Sequence, residues 1–250
     1  MRPQGFRAYL LTACLVLIHT SLFADPVSLV KDINLTPKLS ALSLVENCGT
    51  SKHIFIGLDE EHGVELWRTD GTQAGTKIVH EFIPGPVSSE VENCFAVGEY
   101  VFFRAKDSTD QRFIWRTDGT DQGTSKFDLF NTTHSDFYKI GTLGQKTIVH
   151  TASSILSTDG TKNGTEFLAS PLIDSRASHG VEIGNEFIFG RCSPDFGCEP
   201  WVTDGTVIGT HQLKDISSGA ENSITIYGTV FQKIGNRVVF EADDGPRPGR

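Results

Sequence analysis

Four copies of one eight-residue phrase, Thr-Asp-Gly-Thr-x-x-Gly-Thr, constrain the fold of this chain more than any other feature of its sequence. The copies begin at Thr69, Thr117, Thr158 and Thr203, so successive copies lie roughly 40 to 50 residues apart. A phrase that recurs at this spacing is typical of stacked supersecondary units, because one such unit cannot bury its apolar face alone. The sequence therefore predicts a repeat protein.

The Asp-Gly pair inside each phrase predicts a tight turn. Glycine adopts positive φ without a steric penalty, and an aspartate side chain can accept a hydrogen bond from the backbone two residues on. We interpret each phrase as a link from the last strand of one unit to the first strand of the next, and we assign its Asp-Gly pair a structural role. An ion or ligand site built on the aspartates is the alternative. The four pairs are Asp70-Gly71, Asp118-Gly119, Asp159-Gly160 and Asp204-Gly205.

Two other features repeat in phase with the phrase. A large apolar residue stands two positions before each copy, and we expect these residues to pack between neighbouring units, since burying a tryptophan stabilises a fold by up to ~5 kcal/mol. They are Trp67, Trp115, Leu156 and Trp201. Glycine-polar pairs between two apolar runs predict two-residue hairpin turns. They are Gly98-Glu99, Gly144-Gln145, Gly184-Asn185 and Gly235-Asn236.

These signals predict an all-β protein made of four-stranded antiparallel units. The units are expected at 29–76, 77–124, 125–165 and 166–210, with a fifth, truncated unit at 211–250. Four short strands per unit, repeated at this length, favour a β-propeller-like array of blades in a single domain spanning 25–250. A β-solenoid is the rival fold.

The residues around the first phrase also resemble a known family. Val64 to Thr72 reads Val-Glu-Leu-Trp-Arg-Thr-Asp-Gly-Thr, which is similar to the signature of the bacterial ELWxxDGT-repeat proteins. The likeness weakens in the later units, where Phe113-Ile114-Trp115, Ile155-Leu156 and Glu199-Pro200-Trp201 stand at the same place. The resemblance implies a secreted or surface-associated, propeller-like repeat protein, and it brings no catalytic residue with it.

The N-terminus predicts a targeting segment. Arg2 and Arg7 flank a positive region, an apolar run covers 8–18, and Ala24 precedes Asp25, so residues 1–24 read as a cleaved signal peptide. The stretch that ends at Cys14 also resembles a bacterial lipobox, and only in that case would we expect a membrane anchor. The expected location is secreted, periplasmic or at the cell surface.

Four cysteines remain after the signal peptide, and an oxidising compartment favours disulfides between them. Cys192 and Cys198 flank a sharply turning loop, which predicts a bridge across a hairpin. Cys48 and Cys94 each end a Val-Glu-Asn-Cys sequence, so they occupy equivalent places in adjacent units, where a bridge between them is also an option.

Composition narrows the range of partners. The formal net charge is −9 and no cluster of lysine and arginine occurs, which argues against nucleic acid. Acidic loops could attract calcium, but none has the spacing of a calcium-binding loop, so we predict no cofactor and leave calcium open. These loops contain Asp59-Glu60-Glu61, Asp107 with Asp110, Asp195, and Asp243-Asp244.

The sequence favours a binding or interaction scaffold whose partner, a protein or a glycan, is unknown. Two loops that interrupt the repeat pattern, 130–137 and 171–180, are the expected partner surface. A structural role at the cell surface or in a matrix is the second hypothesis. A glycan-active enzyme is the third, because Ser157 to Thr161 resembles the start of the Asp-box turn of sialidases. That turn is itself structural, so we do not predict an enzyme.

Overall fold

The computed structural model describes residues 46–49, 53–129, 137–151, 154–169 and 177–245. Every regular element in these ranges is a β-strand, and all strand pairs are antiparallel. Within the same ranges no helix is long and apolar enough to cross a bilayer. The predicted signal peptide and the stretch ending at Cys14 lie outside the described residues. The all-β prediction is confirmed.

The strands form four four-stranded sheets and a final two-stranded one, which we call sheets A to E in chain order. Sheet A contains β1 (Glu46–Asn47), β2 (Ile54–Asp59), β3 (Gly63–Arg68) and β4 (Lys77–Ile78). Sheet B contains β5 (Glu92–Val97), β6 (Tyr100–Lys106), β7 (Arg112–Thr117) and β8 (Ser125–Lys126). Sheet C contains β9 (Phe137–Leu143), β10 (Lys146–Thr151), β11 (Ile155–Thr158) and β12 (Glu166–Ala169). Sheet D contains β13 (Val181–Ile183), β14 (Glu186–Ser193), β15 (Gly197–Thr203) and β16 (His211–Gln212), and sheet E contains β17 (Gln232–Ile234) and β18 (Arg237–Val239).

The four predicted two-residue hairpins are confirmed. Each glycine-polar pair joins the first and second strands of sheets B to E, and each sheet runs in simple sequential order. The glycines at the first turn positions have φ between 56° and 63°, a region that disfavours residues with a Cβ.

The predicted unit boundaries are wrong by one strand, because the phrase does not link two sheets. It reverses the chain between the third and fourth strands of the same sheet. In sheet A this pairs Trp67 with Ile78 and Arg68 with Lys77, and the equivalent pairs occur in sheets B, C and D. The described strands therefore fall in 46–78, 92–126, 137–169 and 181–212, and the fifth sheet begins at Gln232 instead of at 211.

Consecutive sheets pack face to face through apolar clusters. The cluster between sheets A and B joins Ile54 and Leu66 to Phe103 and Trp115. Leu156 of sheet C packs against Phe102 of sheet B, while Phe187 and Phe189 of sheet D contact sheet C. Ile188 and Val202 of sheet D pack against Phe231 and Phe240, on either side of the sheet E hairpin. The core is thus a series of interfaces between neighbouring sheets.

The residues expected between units occupy two kinds of position. Trp115, Leu156 and Trp201 lie in or against the clusters between sheets. Trp67 is also buried, at 4% exposure, but it belongs to none of these clusters and lies against Gly57 of the neighbouring strand. A Cβ on Gly57 would sit 2.8 Å from the indole, so this glycine provides the space for Trp67.

Candidate functional site

The repeated phrase is the first candidate site, and its polar groups close a turn. In the first copy, Thr69 Oγ1 accepts a hydrogen bond from the N–H of Gly71 at 3.0 Å. Asp70 Oδ1 accepts two bonds from Thr72, one from its N–H at 2.9 Å and one from its hydroxyl at 2.7 Å. This is the arrangement that lets an aspartate stabilise a turn.

The second half of the phrase is tied to the first by hydroxyl groups. Thr72 Oγ1 accepts the N–H of Gly75 at 3.0 Å, and the Thr76 hydroxyl donates to the carbonyl of Thr72 at 2.7 Å. The Thr69 and Thr76 hydroxyls lie 2.6 Å apart. Because the Thr76 proton is already used, Thr69 must be the donor in that pair.

The same contacts recur in the other three phrases, at distances between 2.6 and 3.0 Å. Hydrogen bonds from the threonine two residues on lower the pKa of Asp70, Asp159 and Asp204 below the ordinary value. The aspartates of the phrase therefore act as anionic acceptors for their own turn.

Both glycines of the phrase are explained by the same geometry. The first has φ between 86° and 94° in all four copies. The second lies under the aspartate, where a Cβ would come within 1.9 to 2.1 Å of the carboxyl group. Every recurring residue of the phrase thus has a structural function, which supports the structural interpretation over a ligand site.

An arginine just before the phrase connects one sheet to the next. Arg68 of sheet A donates from Nη1 to the carbonyl of Gly119, inside the phrase of sheet B, at 3.1 Å. Arg116 of sheet B makes the same contact with Gly160 of sheet C at 2.6 Å. Sheet C has Ser157 at this place, and its buried hydroxyl has no partner among the described residues. The phrases of sheets B and C therefore also serve as acceptors for the preceding sheet.

A second repeated arrangement, which sequence reasoning missed, occurs in sheets A and D. Glu65 and Glu199 are fully buried, each two residues before a tryptophan. Each accepts a short hydrogen bond from a serine in the segment leading to the next sheet: Ser89 at 2.7 Å and Ser223 at 2.6 Å. We call these contacts the glutamate clamps.

The glutamate clamps have a signal in the sequence. Each glutamate follows a glycine by two residues and precedes its serine by 24 residues. The glycines, Gly63 and Gly197, have positive φ and touch the clamped segment, where a Cβ would come within 2.8 Å of Ser88 and 2.1 Å of Glu221. A search for Gly-x-Glu followed by serine at that distance would have found both.

The two clamps differ in how well the carboxyl group is satisfied. Glu199 also accepts the backbone N–H groups of Ile216 at 3.0 Å and Ser217 at 3.3 Å. Among the residues that the structure describes, Glu65 has Ser89 as its partner, and its buried Oε1 has none. Burial raises the pKa of Glu65 to about 8, although the hydrogen bond from Ser89 opposes the shift. At neutral pH the Glu65 carboxyl is therefore mostly protonated.

In sheet B, ion pairs join the segment that leads into the sheet to its second and third strands. Arg112 pairs with Glu90 and Glu92, Lys106 pairs with Glu90 at 2.7 Å, and Arg104 pairs with Glu92 at 3.0 Å. The two glutamates lie at the entry to the sheet and the cations lie on its second and third strands. These pairs hold the first strand of sheet B in place from the rim.

The acidic loops considered for calcium make contacts of their own. Asp59 accepts from His62, through the backbone N–H at 2.6 Å and Nδ1 at 2.8 Å, and this raises the pKa of His62. Asp107 pairs with Lys126 at 2.6 Å; burial opposes the effect, but the hydrogen bonds lower its pKa to about 2. The described ranges contain no group of three or more His, Cys, Asp and Glu that could hold a metal. The prediction of no cofactor, with calcium as the open alternative, stays a prediction.

A surface depression of about 410 Å³ lies between the segment that leads into sheet E and the end of the described chain. Its lining consists of Ser217, Glu221, Asn222, Asp243 and Gly245. Asn222 Oδ1 already accepts the N–H of Cys198, and Asp243 Oδ1 accepts that of Gly245. Two of its polar side chains therefore organise the local backbone.

Both disulfides considered from the sequence are present. Cys48–Cys94 joins equivalent places of sheets A and B, and Cys192–Cys198 joins directly opposite residues of a hairpin in sheet D. In the chain-entropy model the longer loop contributes about 4 kcal/mol and the shorter about 2 kcal/mol. Two disulfides are consistent with an extracellular or other oxidising location.

The two loops expected to bind a partner lie mostly outside the described residues, which exclude 130–136 and 170–176. The C-terminal end of the second loop is described and runs beside sheet D. Ala177 forms an isolated bridge with Arg191, and the N–H of Ser178 donates to the carbonyl of Gly190 at 3.0 Å. This part of the loop is thus fixed to strand β14.

No protein-family model matches the chain, and no curated protein matches it significantly. The resemblance to ELWxxDGT-repeat proteins therefore rests on the residues quoted above.

Proposed function

We propose that this chain is a secreted or surface-associated repeat protein that acts as a binding scaffold, with its sheets arranged as blades of a propeller-like array. The partner is a protein or a glycan. The likeness of Val64 to Thr72 to the ELWxxDGT signature supports this proposal, as do the predicted signal peptide and the two disulfides.

The observation that carries the proposal is that the polar groups of the repeated phrase form hydrogen bonds with one another. In all four copies the threonines, the aspartate and the glycines form the same turn, so the repeated phrase has a structural role. The sheets differ in the segments that connect them, and variable connections on a rigid framework are where binding residues concentrate. Recognition is therefore assigned to 130–137 and 171–180.

Loop replacement tests the proposal. Residues 130–136 and 171–176 would be replaced, separately, by glycine-serine sequences of equal length, and each variant compared with the parent on a glycan array. The control replaces Gln73 and Ala74, which are exposed positions inside the first phrase, by serine. Circular dichroism would verify that each variant keeps its β-structure.

Three results separate the candidate functions. Glycan binding that is lost with a loop and kept in the control supports the scaffold. Assembly of the purified parent into large particles, without ligand binding, favours the structural role. Hydrolysis of a fluorogenic glycoside favours the enzyme. Binding that survives both loop replacements would contradict the assignment of recognition to these loops.

A further inference from the structure

Arg191, beside the described end of the second variable loop, is a buried cation with no ion-pair partner among the described residues. The residue is 6% exposed, and no carboxylate of the described residues lies within ion-pairing distance. Its Nε atom is buried and has no acceptor. An unpaired buried charge is strongly unfavourable, so such an arrangement calls for an anion from outside the described chain.

The guanidinium group is held in a fixed orientation. Its central carbon lies 4.2 Å from the centre of the Trp201 ring, so the indole covers one face of the group. The Nη atoms are not among the fully buried unpaired atoms and no described residue bonds to them, so this edge keeps some accessible surface and no described acceptor. A planar guanidinium stacked on an aromatic ring with a free edge suits the planar geometry of a carboxylate.

Two more buried donors on sheet D lack acceptors. The Nε1 of Trp201 and the Nε2 of Gln212 are unpaired among the described residues, and Trp201 and Gln212 face each other on adjacent strands. In sheet B, by comparison, Trp115 Nε1 donates to the carbonyl of Ala105 at 3.2 Å. Sheet D thus concentrates three unmet donors on three neighbouring strands.

Arg104 provides an internal comparison. It has the same 6% exposure as Arg191, and it lies on the equivalent second strand of sheet B. Arg104 pairs with Glu92 at 3.0 Å, whereas Arg191 has no such partner among the described residues. Burial of an arginine in this fold is therefore compatible with an ion pair, and sheet D is the exception.

We propose that Arg191, stacked on Trp201, binds a carboxylate group of the ligand of this protein at the boundary between sheets C and D. Trp201 orients the guanidinium, and the exposed Nη edge makes the charge-assisted hydrogen bonds. The idea that the carboxylate belongs to a ligand rests on the proposed scaffold function, but the anion site itself can be tested separately.

The test uses the whole protein and sodium acetate as the probe, with sodium chloride at equal ionic strength as the reference. We expect acetate at saturation to raise Tm by about 2–4 °C more than chloride does. Acetate should also change tryptophan fluorescence, because Trp201 touches the site. Arg191→Gln should lose both responses, and Arg191→Lys should weaken acetate binding about tenfold or more. Arg104→Gln is the matched control and should keep both responses.

Equal effects of acetate and chloride on the parent protein would overturn the proposal without any variant. An acetate response that survives in Arg191→Gln would overturn it as well. If Arg191→Gln does not fold, the acetate responses of Arg191→Lys and of the parent protein test the proposal. Glucuronate and N-acetylglycine then identify whether a sugar or a peptide carries the carboxylate, and a response to either supports the site. Loop replacement measures partner binding and the acetate experiment measures the anion site. The scaffold function and the anion site can therefore fail independently.

Discussion

Sheets A and D each hold the segment that leads to the next sheet with a buried glutamate, whereas the rim ion pairs of sheet B hold the segment that leads into sheet B itself. At the position of Glu65 and Glu199, sheet B has Phe113, and its Arg112 pairs with Glu90 and Glu92 instead. The phrase is the same in all of these sheets. The comparison shows that a uniform turn coexists with different contacts beside it: sheets A and D hold the connection that follows them, and sheet B holds the one that precedes it.

Even the two glutamate clamps are unequal. Among the described residues, the Glu199 carboxyl group accepts hydrogen bonds from three residues and that of Glu65 from Ser89 alone. A buried carboxylate is stable as an anion when donors surround it, while an unsatisfied one favours its neutral form. The same side chain at the same place in the repeat therefore acts differently because of its surroundings.

The largest expected effect comes from removing the better satisfied clamp. Glu199→Ala leaves the Ile216 and Ser217 N–H groups and the Ser223 hydroxyl without their acceptor, so it should lower the free energy of unfolding by about 3 kcal/mol. Urea denaturation measures this. Glu186→Ala, at an exposed position of the same sheet, should change stability by less than about 0.5 kcal/mol. Equal effects of the two variants would show that the clamp does not stabilise the fold.

The phrase should respond alike in different sheets. Gly164→Ala in sheet C and Gly209→Ala in sheet D each place a Cβ within 2.1 Å of an aspartate carboxyl group, so each should destabilise by about 1–3 kcal/mol. Asn163→Ala, an exposed position of the same turn, is the control. Thermal denaturation followed by circular dichroism provides the measurement. A large difference between Gly164→Ala and Gly209→Ala would contradict the uniformity of the turn.

The less satisfied clamp should make stability depend on pH. The folded-state pKa of Glu65 is about 8, above its ordinary value of 4.5, so the folded protein holds this proton more tightly than the unfolded chain does. Stability should therefore fall as pH rises from about 4.5 to about 8, by at most about 1.4 kcal/mol per pH unit. Urea denaturation across this range tests the slope.

Glu65→Gln should remove that slope and change stability little at pH 7, because glutamine resembles the neutral acid. His62 also has a raised pKa, so its pair with Asp59 contributes fully below about pH 6.5 and is lost as pH rises through the higher folded-state pKa. His62→Gln measures this contribution, which has the same sign. A slope that persists in Glu65→Gln and disappears in His62→Gln would assign the pH dependence to the histidine.

The rim of sheet B should give the smallest effect. Arg112 is about one third exposed, so Arg112→Ala should cost about 0.5–1 kcal/mol in low salt. In about 1 M NaCl most of that difference should vanish, since salt screens exposed charges. The Glu199→Ala effect should persist under the same conditions. Equal salt sensitivity in both variants would remove the distinction between the rim pairs and the buried clamp.

Much of the fold follows from local signals. The glycine-polar pairs predict the hairpins because glycine is needed at positive φ. The phrase predicts a turn because Asp-Gly adopts the turn conformation and the aspartate and threonine side chains can hydrogen-bond its backbone. The order of strands around the phrase could not be obtained in this way. A turn signal shows where the chain reverses, but whether the next strand joins the same sheet depends on pairing between Trp67 and Ile78, which local sequence does not determine.

The candidate sites were harder to predict for a different reason. Glu65 forms part of the Glu-Leu-Trp sequence that resembles the family signature. Its buried hydrogen-bond partner, however, is Ser89, in the segment that connects sheets A and B. Arg191 is one arginine among many in the sequence, and its stacking on Trp201 and lack of a carboxylate partner are properties of the packed sheet. Such features depend on distant neighbours, so spacing alone does not reveal them.

The Cys48–Cys94 disulfide has a mechanical consequence. The two cysteines are 46 residues apart, and the segment between them contains β2, β3 and β4. If the chain is stretched from its ends, tension passes through the sulfur atoms and bypasses this segment. Most of sheet A is then shielded from the load and cannot lengthen, whereas the bridge between Cys192 and Cys198 shields only the tip of one hairpin. Under such a load, β2 to β4 would keep their pairing while sheets further along the chain yield.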